Sequence, residues 1–248
     1  MFNENAKKRF ADLGMEYPPV AVKFHYARPE GVRQSDKTLS FCQFLKEAQT
    51  TGERFYIAGE NDNCHGKMAL GMAPKEPLAV SGQQGYDLGV YRTPAPNARL
   101  HASYPTLYPG SVNYVEFCPV SRCDFEPDLV VCVAEMKQAD ILMRAASYIS
   151  GDLWESCSSC VLSCAWTYVY PYLSGKVNFC VTGLHHGLKR REVYPEGRMI
   201  ISIPYQKLGE VCEALEEMPW ELPALKKDPE SQAWLRATTE HWKEISPD

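Results

Sequence analysis

An α+β fold, with α/β as the close alternative, is predicted for this chain by three observations. Short apolar strands alternate with helical stripes, a strand–loop–helix pattern occurs twice in the second half, and no low-complexity linker divides the sequence. The 248 residues are enough for one compact domain with a sizeable core, 1–248, ending in a helical extension over 218–248.

The elements follow in order. Residues 3–14 read as a helix capped by Asn3 or Asn5, with Phe10 and Leu13 apolar and Gly14 as its stop. Tyr17-Pro18-Pro19 leads into a strand at 20–24, and 25–37 is loop. A helix over 40–50 has Ser40 as N-cap and Gly52 beyond its end. A short strand at 55–57 precedes a turn at 61–66 and a brief helix through Met68 and Leu70. Residues 74–111 carry many Pro, Gly and Tyr with little periodicity, so only a helix near 97–104 is expected there. Strands at 112–117 and 129–133 flank a loop, and the second runs into a helix over 136–149. Strand 198–203 and helix 205–218 repeat that pattern, and the tail ends in a helix over 230–245 bearing Trp234 and Trp242.

The chemistry concentrates in CSSCVLSCAWTYVYPYLSGKVNFCVTG, residues 157–183. Cys157-x2-Cys160-x3-Cys164 would place three thiols on one face of a helix extended by Tyr168 and ended by Pro171, or wrap them around one cluster if the segment is a loop. Soft thiolates held together suit iron–sulfur, zinc or copper(I). Ten cysteines among 248 residues fall below the roughly 8% of a disulfide scaffold, and in a reducing cytosol clustered thiols serve as ligands or redox groups. Cys132 and Cys212 lie on apolar stripes and read as core.

A faint internal repeat adds a geometric expectation. Helix, short strand and a cysteine-bearing turn run from Cys42 to Cys64-His65-Gly66, and again from Cys160 or Cys164 to Cys180. Two related halves facing each other would bring two helix cysteines and two turn cysteines to one centre, the four thiolates of a [4Fe–4S] cluster or structural zinc.

Other constellations are weaker. Cys118-Pro119-x3-Cys123 would supply a second or enlarged site. Cys157-x2-Cys160 has dithiol spacing, although Gly151-Asp152-Leu153-Trp154 precedes it where a thioredoxin motif needs a strand. His65 would act as ligand or proton donor, or stand as a solvated turn histidine, and His185-His186 with Lys189-Arg190-Arg191 would attract an anion, or form a solvated basic turn. Tyr86, Tyr91, Tyr104 and Tyr108 would line a pocket above the thiols or simply pack.

Several classes are disfavoured. A formal charge of -5 and a pI near 5.7 argue against nucleic-acid or anionic-membrane surfaces. The charged N-terminus has no apolar h-region and no apolar run approaches about 18 residues, so a cytoplasmic protein without a membrane span is expected. Phosphate-loop, dinucleotide, Gly-x-Ser-x-Gly and His-Glu-x-x-His motifs are missing.

Tyr17-Pro18-Pro19-Val20-Ala21-Val22-Lys23, Phe41-Cys42, Glu60-Asn61 through Cys64-x-Gly66, Tyr170-Pro171-Tyr172-Leu173-x-Gly175 and Ile200-x4-Tyr205-x2-Leu208 together resemble domain-of-unknown-function family 169, a mostly prokaryotic, largely anaerobe-associated group of uncharacterised ArCR proteins. The resemblance covers residues 15–217 and implies family cysteines at Cys42, Cys64, Cys164 and Cys180, with Cys118, Cys123, Cys157 and Cys160 as additions in this sequence. It carries no assigned reaction.

The sequence-level expectation is an iron–sulfur protein of anaerobic metabolism, with Cys42, Cys64, Cys164 and Cys180 as first-choice ligands and Cys157 and Cys160 competing for the same metal. It would transfer electrons to a redox partner protein, or act on a small-molecule substrate at an iron without a protein ligand. The exposed tail tryptophans suit a homodimer. Two rivals stand beside this reading: a zinc-binding sensor or carrier, and a metal-free dithiol oxidoreductase.

Overall fold

The computed structural model describes residues 4–246. In chain order its main elements are α1 (Glu4–Asp12), β1 (Tyr17–His25), α2 (Phe41–Thr51), β2 (Phe55–Ala58), α3 (Gly66–Ala69), α4 (Pro77–Val80), α5 (Gln83–Asp87), α6 (Pro94–Ser103), β3 (Tyr114–Pro119), β4 (Leu129–Ala134) and α7 (Met136–Tyr148). A π-helix, Ala165–Val169, then runs directly into α8 (Tyr170–Ser174), followed by β5 (Asn178–Val181), α9 (His186–Arg190), β6 (Met199–Pro204), α10 (Tyr205–Glu217) and α11 (Pro229–Ile245).

The strands form one sheet in the order β2-β3-β1-β4-β6-β5, and every pairing is antiparallel. Parallel neighbours are what an α/β fold requires, so the architecture is α+β, a single domain with a long C-terminal helix. Within each run of three strands the first takes the centre, the second the edge and the third the place between. Pro18 and Pro19 lie inside central strand β1, where they cannot donate ladder hydrogen bonds; the register with β4 shifts between Tyr17 and Val20 at that point.

Strand periodicity divides the core in two. Leu129, Val131 and Val133 of β4 face one layer, while Val130, Cys132 and Ala134 face the other. The first layer receives Val20, Val22, Val115, Phe117 and the apolar sides of α2, the π-helix and α8. Across the sheet, α1, α7 and α10 cover Ala21, Cys118, Ile201 and Ile203. Ser40 caps α2 as expected, its backbone N–H and hydroxyl both donating to Gln43 Oε1, and Gly52 ends the helix in the left-handed conformation (φ 68°).

Four local expectations change. Asn3 lies outside the described residues, while Asn5 is inside α1 and donates to Glu216 of α10 instead of capping. Residues 74–111 hold three helices, α4 to α6, because α4 and α6 each open with a proline at a position whose N–H a helix does not need. Pro171 does not end the helix after Tyr168; it sits in the opening turn of α8, where the π-to-α transition removes the need for its N–H. Cys180 is a β5 residue, not a turn residue.

Phe117 is the centre of the first layer. Its ring lies 5.8 to 6.4 Å from Phe41 and Phe44 of α2, Phe55 of β2 and Tyr168 of the π-helix, all essentially buried. Phe117→Ala is expected to destabilise the protein by about 3–5 kcal/mol, because four rings lose one partner and cannot collapse into the void. Urea denaturation checks this, and a loss below about 1 kcal/mol would contradict it.

Candidate functional site

A cavity of about 350 Å³ opens on the layer that Phe117 organises, walled by α3, α5, α6, α9 and the segment entering the π-helix. Cys42, Cys64 and Cys164 all line it. Each comes from a different element: Cys42 from the first turn of α2, Cys64 from the turn before α3, and Cys164 from the residue immediately before the π-helix.

Each thiol is fixed by its own neighbours. Cys42 lies 3.4 Å from the Ser40 hydroxyl, and Phe41 beside it is anchored on Phe117 and Tyr168. Asp62 shapes the turn of Cys64: its carboxylate accepts from the backbone N–H groups of Cys64 (3.2 Å) and Lys67 (2.7 Å). Gly66 is needed because a Cβ there would meet the Phe41 ring at 2.4 Å and Cys164 Sγ at 3.1 Å. Leu162, two residues before Cys164, holds a left-handed φ of 59°, and Glu192 just past Arg191 holds 48°. These two strained non-glycine residues both adjoin the cavity walls.

Burial dominates the electrostatics. It pushes the Cys42 thiol up to about 11, with the nearby Cys64 adding to the shift and the Ser40 hydrogen bond and Arg191 opposing it. Cys164 is raised well above the ordinary thiol range by burial, then by Cys42, Cys64 and Asp62. Desolvation also lifts the Asp62 carboxyl to about 6, against the hydrogen bonds that favour its ionised form. Cys42 and Cys64 both add to the shift of Cys164, because the three thiols line the same cavity.

The remaining candidates lie elsewhere. Cys180 is buried beside Cys157, and the Asn178 amide ties the Cys157 backbone at 2.9 and 3.0 Å. Cys160 donates to the Tyr91 hydroxyl at 3.3 Å. The Cys157–Cys160 stretch is irregular rather than helical, so these two side chains turn to different partners. Cys118 donates to the Pro119 carbonyl and Cys123 to the Phe125 carbonyl on the α1–α7–α10 side, with the sheet between them and the cavity. All ten cysteines are free thiols. Among the described residues no three His, Cys, Asp or Glu side chains stand close enough for one metal ion.

The tyrosines expected above the thiols do not line the cavity. Tyr86 and Tyr108 are exposed, Tyr104 is core, and Tyr91 pairs with Cys160. The same segment contributes Gln84, Gly85, Leu88, Asn97 and His101 instead. His65 lines the cavity, and His186, Arg190 and Arg191 reach it from α9 and the residue after it. Asn97 and His101 were missed by motif reasoning. Their signal was a polar pair four residues apart on one face of a helix.

Burial holds His101 neutral, lowering its pKa from 6.5 to about 4, and His185 behaves likewise. The unfolded chain therefore takes up these protons first as pH falls below 6.5, and each histidine removes stability between pH 6.5 and 4. Asp62 acts in the opposite sense between 6 and 3.8, because its folded form binds the proton more tightly. His101→Gln is expected to lose less stability than the parent chain between pH 6.5 and 4 in urea titrations; parallel curves would refute the assignment.

The family model described as uncharacterised ArCR, DUF169, matches residues 11–214. The chain is similar to "Uncharacterized protein MJ0308" of Methanocaldococcus jannaschii, 25% identical over 219 residues that cover 86% of this chain and 93% of that protein. No solved structure matches it. No helix among the described residues is long and apolar enough to cross a membrane. With most of its length inside the family model, from before β1 to within α10, the chain belongs to the DUF169 family of uncharacterised ArCR proteins.

Proposed function

We propose that the protein binds an iron–sulfur cluster, of [4Fe–4S] type, through Cys42, Cys64 and Cys164. The observation that carries this reading is the convergence of three cysteines from three separate elements on one cavity wall. A cubane spreads its ligating sulfurs around a body several atoms wide, so thiols that share a cavity without meeting at a single point suit it better than one zinc ion. Three protein ligands would leave one iron facing the cavity, supplying a Lewis acid or an electron carrier beside a small substrate.

The chain's own groups have defined parts in this reading. Cys42 and Cys164 stay protonated in their dry setting until metal displaces the protons, so loading releases acid. Arg191 offsets thiolate charge, since its field already lowers the pKa of Cys42. Asp62 holds the Cys64 turn, and Gly66 leaves the space that Phe41 and Cys164 occupy.

The ligand set would draw Cys42 and Cys64 from the first three-strand unit and Cys164 from the second. The matching centre–edge–middle strand placement supports a relationship between two halves that meet at this site. Cys180 belongs, on this reading, to a separate packed group with Cys157. A cavity of this size favours a small-molecule substrate over a protein redox partner at the cluster. Oxygen-sensitive chemistry of this kind suits a reducing cytoplasm and an anaerobic host.

Protein purified without oxygen is expected to contain about four irons and four sulfides per chain, the content of one cubane. Cys42→Ser, Cys64→Ser and Cys164→Ser should each lower both severalfold, while Cys157→Ser and Cys118→Ser keep them. Stoichiometric zinc without sulfide would replace this reading with a zinc sensor or carrier. Metal-free protein, or loss of iron only in Cys157→Ser, would reject the assignment.

A further inference from the structure

We infer that the cavity binds a small oxyanion, a carboxylate- or phosphate-bearing metabolite that also carries a hydrogen-bond donor. This rests on the same cavity as the cluster reading and names the substrate class of that site; Arg191 serves both, while Arg190, Lys67, Asn97 and His101 belong to the anion site alone. Lys67, Arg190 and Arg191 line the cavity, against one lining carboxylate, Glu76. Among the described residues neither arginine has a carboxylate within ion-pair distance; Arg191 makes only a 3.5 Å contact to the Gly187 carbonyl, and the Lys67 ammonium donates to the Asp62 carbonyl. Guanidinium groups without an ion-pair contact at a concave site are arranged to receive an anion.

The opposite wall supplies the second half of the recognition. Asn97 and His101 are 2% and 4% exposed, and both line the cavity. Asn97 Oδ1 and His101 Nδ1 have no hydrogen-bond partner, and His186 Nε2 on the cationic side is likewise without one. Buried polar atoms left unpaired are costly, so a ligand that satisfies them gains specificity. The Asn97 amide already donates to the Gly82 carbonyl, which orients its oxygen as the free acceptor. A hydroxyl or amino group on the ligand meets that acceptor while its oxyanion meets the guanidinium groups. His65 also lines the cavity, its ring centre 6.4 Å from that of His101. About 350 Å³ is near the small end of ligand cavities, which admits a metabolite of a few carbons and not a dinucleotide.

Calorimetric titration of anaerobically purified protein in HEPES tests this, with malate, succinate, inorganic phosphate and glycerol 3-phosphate as probes. At least one probe is expected to bind with a Kd below about 1 mM, with malate at least threefold tighter than succinate if the anion is a carboxylate, and glycerol 3-phosphate tighter than phosphate if it is a phosphate. Arg191→Gln and Arg190→Gln should each weaken the best probe about tenfold, with Arg191→Lys recovering part of the loss. Lys189→Gln should stay within twofold, because Lys189 is exposed and paired with Glu196. Probe binding by wild-type protein that carries no iron would reject the cluster alone and uphold the anion site. Failure of every probe, or wild-type binding by both arginine variants, would overturn the anion site whatever the metal content.

Discussion

The packing of Phe41 and Tyr168 on Phe117 is the contact on which the site depends. Phe41 precedes Cys42, and Tyr168 lies one turn beyond Cys164, so one aromatic cluster sets the positions of two thiols from distant parts of the chain. Phe117 belongs to β3, whose register is fixed on both sides by β2 and β1. A sheet slip of one residue would turn Phe117 to the opposite layer and pull α2 away from the π-helix. Gly66 completes the arrangement by letting the turn of Cys64 close against the same Phe41 ring.

This aromatic floor also determines the chemistry. Desolvation by buried rings and aliphatic side chains keeps Cys42 and Cys164 as neutral thiols, a state that costs little in an apolar layer. Thiolates there would need a positive partner, which the proposed metal would provide and Arg191 would supplement. The cavity thus joins an apolar base, suited to soft ligands, to a cationic rim and three unpaired polar groups. The strain at Leu162 and Glu192, each next to a wall residue, belongs to the same trade between local comfort and site geometry.

Much of the fold was legible because period-two and period-3.6 patterns are local. The helices of α2, α7 and α10 and the strands β3, β4 and β6 fall within a few residues of their sequence positions. Cysteine spacing was a poorer guide. Cys157, Cys160 and Cys164 sit close in sequence, yet Leu162 breaks the path in a left-handed conformation and only Cys164 reaches the cavity. Cys180 resembled a turn ligand but is a strand residue whose sulfur accepts from the Asn178 amide, a tertiary outcome of β5 pairing with β6. Cys118 and Cys123 could not be assigned to a side of the sheet until β3 had a register. The Asn97–His101 pair was visible as helical spacing but had no meaning until α6 was packed over the thiols.

An iron-edge anomalous difference map from crystals grown without oxygen tests the central claim most directly. Compact iron density is expected in the cavity, bonded to Cys42, Cys64 and Cys164, with one iron lacking protein sulfur. Iron centred instead between Cys157 and Cys180, or a cavity with no anomalous density in iron-replete protein, would contradict it.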